Sequence, residues 1–195
     1  MTEGLHLDGA NKVLAPSLFV GNIYLVGPMG AGKTTIGKLI ANEMKLDFID
    51  TDHEVEKKAG ASISWIFDVE GEAGFRQRET KLLQEMSTVS GKVVATGGGI
   101  VLSEENRLLL KVNGVCVYLQ ANPDQLLERV GRDRKRPLLM APEGAGAVLQ
   151  RIVKERDPLY REVAALIVQT NARPPRQLAK EIAKKIIKFP QMRTM

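Results

Sequence analysis

Residues 27–34, Gly27-Pro28-Met29-Gly30-Ala31-Gly32-Lys33-Thr34, constrain this chain more than any other stretch, because they match the pattern G-x-x-x-x-G-K-[ST] in the right surroundings. The apolar run Ile23-Tyr24-Leu25-Val26 precedes them. Behind them Ile36, Leu39, Ile40 and Met44 recur at helical spacing, so the stretch joins a buried strand to a helix. In that setting glycines let successive backbone N–H groups curl around an anion, and the helix N-terminus adds positive potential. Lys33 then reaches the β/γ-phosphates of a nucleotide and Thr34 offers its hydroxyl to Mg²⁺.

The rest of the chain alternates in the same way. Phe48-Ile49-Asp50, Lys92 to Thr96, Val115 to Leu119 and Leu166-Ile167-Val168 read as further strands. Helical patterns fall at Val55 to Ala59, Ile63 to Val69, Gly74 to Met86, Ser103 to Leu110, Val148 to Tyr160 and Gln177 to Lys188, and Pro123 suits the first turn of another. Nearly all-apolar strands alternating with helices predict an α/β protein, a three-layer fold with a five-stranded parallel sheet covered by helices on both faces. Residues 1–18 lack periodicity and read as a flexible N-terminal extension, 19–188 as a single domain, and 189–195 as a tail. Within the domain, about 129–147 is rich in Arg, Pro and Gly and poor in packing residues, which predicts a mobile lid.

Composition narrows the function classes. At 195 residues, 44% hydrophobic and 26% charged, the chain can bury one core, which excludes wholesale disorder. The net charge of +5 suits an anionic partner without saying which. Five Phe, three Tyr and one Trp are too few for a surface that stacks many bases. The single cysteine, Cys116, excludes an internal disulfide framework and, lying in an apolar strand, reads as an inert core residue. His6 and His53 lack partners at metal-ligand spacing and read as surface residues. No apolar run is long enough for a bilayer and Met1-Thr2-Glu3-Gly4 does not start a signal peptide, so a cytoplasmic protein is expected.

Three further features belong to the strand ends. Asp50-Thr51-Asp52 closes the second strand, at the edge where open parallel sheets bind ligands. Its i, i+2 carboxylates are read either as a Mg²⁺ support and a hydroxyl acceptor, or as an exposed Asp50 and a helix N-cap at Asp52. Gly97-Gly98-Gly99 closes the third strand, as close-approach backbone for a ligand or as a flexible turn. By default Arg76 and Arg156 are surface arginines of helices.

Taken in order, GPMGAGKTTIG, FIDTD, GFRQRE, ATGGG, KRPLL and RDPLY resemble shikimate kinase, a family of P-loop small-molecule kinases in the nucleoside monophosphate kinase-like group, over about Asn22 to Pro174. The resemblance implies transfer of the γ-phosphoryl of MgATP to the 3-hydroxyl of shikimate, giving 3-phosphoshikimate and ADP on the route to chorismate and aromatic amino acids. It implies that Gly30, Ala31, Gly32, Lys33, Thr34 and Thr35 hold the phosphates and that Arg129 and Arg173 flank the adenine of ATP. Arg136 looks like the lid arginine that closes on the phosphates, and Lys33, Asp52 and Arg136 like the catalytic set. Thr34 and Asp50 look like the supports of one Mg²⁺ per ATP; Asp52, Arg76, Gly98 and Arg156 look like the substrate-binding residues. A monomer is expected, with shikimate and ATP as partners and neither nucleic acid nor membrane.

The residue chemistry agrees with these roles. A small carboxylate-bearing polyol calls for a guanidinium clamp, because the planar fork matches a carboxylate where an ammonium does not. The nearest rivals are a gluconate kinase or a nucleoside monophosphate kinase; Arg76, Arg156 and the triple glycine favour a carboxylate-bearing ring over a nucleobase. A basic nucleic-acid-binding module is the rival from another class. No helix-turn-helix, RNA-binding sheet motif or zinc knuckle supports it.

Overall fold

Every residue of strand β1 (Asn22–Val26) is buried. An all-buried strand must lie inside a sheet covered on both faces, and β1 does. In the computed structural model, which describes residues 21–130, 144–170 and 173–188, β1 pairs in parallel with β3 (Lys92–Ala95) on one side and β4 (Gly114–Gln120) on the other. Strand β2 (Asp47–Asp50) joins β3, and β5 (Leu166–Gln169) joins β4, giving the order β2-β3-β1-β4-β5. The expected five-stranded parallel α/β sheet is the observed one.

The helices are α1 (Lys33–Met44), α2 (Thr51–Ala59), α3 (Ile63–Ser87), α4 (Glu104–Val112), α5 (Pro123–Val130), α6 (Ala145–Val163) and α7 (Pro175–Ile187). Alternation along the central strands sorts the core into two layers. Ile23, Leu25, Val117 and Leu119 pack with Ile36 and Ile40 of α1 and Leu178 and Ile182 of α7. Tyr24, Val26, Cys116 and Tyr118 point the other way, to Leu110 of α4 and Tyr160 and Val163 of α6. Each such aliphatic or aromatic burial is worth about 1.5–3 kcal/mol, so two filled layers hold the sheet between its helices. A third cluster, Val55, Ile66, Phe75 and Leu82, fastens α2 to α3.

Several expected boundaries move. The two helices read at Ile63 to Val69 and Gly74 to Met86 are both present, running on as α3 with a break between them where Gly71 takes the non-helical φ 70° and ψ −178°. Helix α6 begins at Ala145 and carries Pro158 inside it, running to Val163 because Tyr160 and Val163 still have core to bury. At the ends of the segment 129–147, Arg129 belongs to α5 and residues 145–147 to α6. Its centre, the N-terminal extension (His6 included) and the tail 189–195 lie outside the described residues. Among the described residues no helix is long and apolar enough to cross a membrane.

Candidate active site

The loop between β1 and α1 is shaped for an anion. Gly32 takes the left-handed conformation (φ 90°, ψ 18°) that lets the chain turn into α1, and no side chain caps that helix start. With no acidic residue in the first turn either, the N–H groups of α1 and their positive potential remain for a ligand. Ala31 is fully buried beneath the loop and its N–H donates to Pro28 O at 3.3 Å; Gly30 is half-buried, while Thr34 and Thr35 are exposed at the rim. Lys33 Nζ lies over the loop, donating to Gly27 O at 2.7 Å and Pro28 O at 2.8 Å.

The Asp pair differs from its sequence reading. Asp50, not Asp52, is the N-cap: it is extended (φ −113°, ψ 119°), and its Oδ1 accepts from Asp52 N at 3.1 Å. Its Oδ2 accepts from Thr34 Oγ1 at 2.7 Å. Helix α2 starts at Thr51 because the cap stands at the last residue of β2, and this leaves Asp52 in the first helical turn. The two carboxylates therefore do not extend along one strand. Asp50 turns to the phosphate loop, and Asp52 turns to the end of β3, where its Oδ1 is 2.8 Å from the position a Cβ would take on Gly97.

The triple glycine is where the loops after β1, β2 and β3 meet. Gly97 N donates to Thr51 Oγ1 at 3.0 Å. A Cβ on Gly97 would also stand 2.5 Å from Glu79 Oε1, and one on Gly98 would stand 3.4 Å from Met29 N in the phosphate loop. On Gly99 it would stand 2.5 Å from Arg76 Cζ. Side chains are absent here because two carboxylates, a guanidinium and the phosphate loop already occupy the space.

Arg76 and Arg156 come from different helices to the same glycines. Arg76 Nη1 donates to Glu79 Oε2 at 2.7 Å, and its Nε and Nη2 donate to Glu72 Oε1 at 3.2 and 3.0 Å. Desolvation works against the Arg76 charge, but Glu79 and Glu72 outweigh it and hold the guanidinium above its ordinary value. Glu79 is 1% exposed, and its Oε1 has no hydrogen-bond partner. Burial pushes the Glu79 carboxyl up, Asp52 adds to this, and Arg76 and Arg156 pull it back without reversing it. Arg156 Nη1 donates to Gly98 O at 3.2 Å, and the buried Tyr160 hydroxyl donates to the same oxygen. Burial, opposed by Arg156, pushes the Tyr160 phenol up to about 12, so it remains a donor at any working pH.

The two arginines expected to flank adenine diverge. Arg129 reaches the phosphate loop, with Nη1 donating to Gly30 O at 3.3 Å and Nη2 to Thr170 O at 3.4 Å. Arg173 is exposed and pairs with Glu181 of α7 at 2.6 Å. Arg136 lies outside the described residues. His53 is exposed, and the thiol of Cys116 is buried and pushed well up by that burial, as an inert core cysteine should be.

Sequence reasoning did not single out Glu79, Glu72 or Tyr160. A signal existed for each: Glu72 and Glu79 stand at i−4 and i+3 from Arg76, and Tyr160 at i+4 from Arg156. As for Mg²⁺, no group of three or more His, Cys, Asp or Glu could hold a metal among the described residues. The Thr34 hydroxyl and Asp50 carboxylate are hard oxygen donors 2.7 Å apart, which fits an ion carried by phosphates and steadied by one or two protein groups.

A parallel sheet with a strand–glycine loop–helix phosphate cradle, faced by a carboxylate and two arginines, is the arrangement of a P-loop small-molecule kinase. The family model described as shikimate kinase matches residues 29–187. A shikimate kinase of Pseudomonas paraeruginosa is 51% identical over 169 residues, covering 87% of this chain and 98% of that protein. The solved structure of shikimate kinase from Acinetobacter baumannii in complex with shikimate is 47% identical with a TM-score of 0.84, covering 88% of this chain and 96% of that one. Shikimate kinase from Bacteroides thetaiotaomicron is 30% identical with a TM-score of 0.77, covering 85% and 96%. The chain belongs to the shikimate kinase family.

Proposed function

We propose that this kinase moves the γ-phosphoryl group of MgATP to the 3-hydroxyl of shikimate as a cytoplasmic monomer, with each role carried by a residue named above. The observation that carries the reading is the convergence of Arg76 and Arg156 on Gly98 and Gly99, next to the phosphate loop. Two guanidiniums from separate helices can grip one carboxylate at fixed separation, and bare glycine backbone lets a ring approach closely. A substrate so held presents a hydroxyl toward Asp52, which lies against Gly97.

In this reading the N–H groups of Gly30, Ala31, Gly32, Lys33, Thr34 and Thr35 hold the nucleotide phosphates. Lys33 exchanges its loop carbonyls for phosphate oxygens and stays with the transferring group, where charge develops. Thr34 and Asp50 support Mg²⁺, whose chemistry is to neutralise and align the phosphates. Asp52 accepts a hydrogen bond from the attacking hydroxyl and takes its proton as the phosphoryl group moves. Arg129 lies on the nucleotide side through its bond to Gly30 O, and Arg173 joins it there only by releasing Glu181. Arg136 is assigned to closure over the phosphates, which would keep water from accepting the phosphoryl group.

The test is ADP release from MgATP with shikimate, quinate, gluconate or AMP as acceptor. Turnover stimulated by shikimate alone, with 3-phosphoshikimate as product, is the expected outcome. Stimulation only by gluconate or AMP would overturn the substrate assignment and leave the phosphate cradle standing.

A further inference from the structure

Tyr160 stands one helical turn after Arg156 on α6, and so on the same face. It is fully buried, yet its hydroxyl does not end in the core: it donates to Gly98 O, the oxygen that also accepts from Arg156 Nη1 at 3.2 Å. Its ring stacks on Tyr118 with centroids 5.0 Å apart and planes at 29°. The Tyr118 hydroxyl in turn donates to Asp157 Oδ1 at 2.8 Å, and Asp157 Oδ2 accepts from Arg161 Nε at 2.6 Å. The hydroxyl that touches Gly98 is therefore aimed by a ring wedged between β4 and α6, not by a loop. Gly97, Gly98 and Gly99 have no side chains with which to fix their own peptides, and glycine backbone is the loosest there is.

The carbonyl of Gly98 has two donors, and they are not equivalent. Arg156 is the donor that a substrate carboxylate would recruit. If Arg156 were the sole donor, engaging the substrate would leave a half-buried carbonyl without a protein donor and set the charged contact against the backbone one. A second donor removes that conflict. We propose that Tyr160 is a positioning residue for substrate binding: its hydroxyl holds the Gly98–Gly99 peptide in place while Arg156 turns from Gly98 O to the substrate carboxylate. The inference rests on the reading of Arg76, Gly98 and Arg156 as the substrate-binding set, and adds to it a residue that never touches the substrate.

Tyr160→Phe keeps the ring and its stack and removes only the donor. The expected result is a shikimate KM raised about tenfold, the effect of one lost hydrogen bond away from bulk water, with the ATP KM and kcat within about twofold of wild type. The melting temperature should change little, since the core ring remains. Tyr118→Phe is the companion variant, because it likewise keeps the stack and cuts the Asp157 bond but leaves the Tyr160 hydroxyl on Gly98. Its shikimate KM is expected to stay near wild type. An unchanged shikimate KM in Tyr160→Phe, equal shifts in the shikimate and ATP KM, or a Tyr118→Phe effect as large as that of Tyr160→Phe would each overturn the proposal. Arg156→Ala in the same titration separates the levels: if it leaves the shikimate KM untouched, the substrate-site reading fails and the proposal fails with it, whereas a raised KM there with a silent Tyr160→Phe removes the proposal alone.

Discussion

Thr34 Oγ1 and Asp50 Oδ2 are 2.7 Å apart, so the first turn of α1 is tied to the last residue of β2, and Asp50 uses its other oxygen to cap α2. One carboxylate thus serves a helix start and the rim of the phosphate loop together. Two substitutions separate these duties. Asn is as good an N-cap as Asp, so Asp50→Asn should leave the melting temperature nearly unchanged while raising the Mg²⁺ concentration needed for half-maximal rate. Asp50→Ala should show the same Mg²⁺ effect and lose about 1 kcal/mol of stability in denaturant unfolding. Equal stability loss in both variants would mean that the cap is not what Asp50 contributes.

Asp52 is relieved of capping, which makes its substitution cleaner than the sequence suggested. Asp52→Asn should reduce kcat by about 10²-fold or more, the usual loss with a general base, and leave the ATP KM alone. Its stability should fall by no more than about 0.3–1 kcal/mol, the worth of a negative charge in a helix's first turn. Wild-type kcat and shikimate KM in this variant would remove Asp52 from the reaction.

Gly99 lies against the guanidinium of Arg76, with 2.5 Å between a would-be Cβ and Cζ. Gly99→Ala must therefore displace Arg76, which Glu79 and Glu72 hold from the other side. A displacement of about 1 Å in a positioning group costs on the order of 10²-fold in kcat/KM, and the loss should appear chiefly in the shikimate KM. Steady-state kinetics with each substrate varied in turn checks it. An ATP KM that rises in step would point to general collapse of the loops instead.

Asp157 supplies a pH signature. Burial pushes its carboxyl up, but Arg161, Tyr118 and Gln120 donate to it and hold the net value below the ordinary 3.8. A depressed folded value means that the unfolded chain binds the proton first as pH falls, so the contribution of Asp157 is present above the unfolded value and is lost below it. The melting-temperature gap between wild type and Asp157→Asn should be steady from about pH 8 to about pH 5 and close below about pH 4. A gap that persists undiminished at about pH 3 would assign the stabilisation to packing.

Much of the fold was legible because its signals are local. The glycines and Lys33-Thr34 of the loop lie within one short stretch, and strand and helix periodicities repeat over a few residues each. Boundaries were less legible where a distant partner decides them. Asp50 caps α2 ahead of Asp52 because β2 delivers it beside Thr34, and α6 continues past Tyr160 because Val163 finds core on β4's side of the sheet. The pairing of Arg173 with Glu181 was not legible either, since it depends on which carboxylate α7 brings beside an exposed guanidinium.

The sequence by itself determined that this chain is a parallel α/β protein with a phosphate loop, and, through the order of its motifs, the family to which it belongs. Only the tertiary structure decided how the site is assembled: that Asp50 faces Thr34 while Asp52 faces Gly97, that Glu79 is buried beneath Arg76, and that Tyr160 and Arg156 share the carbonyl of Gly98. The physical reason is range. Backbone conformation and burial periodicity are set by neighbours in the chain, whereas the direction in which a carboxylate or guanidinium points is set by opposite charges and open space that folding brings in from other elements.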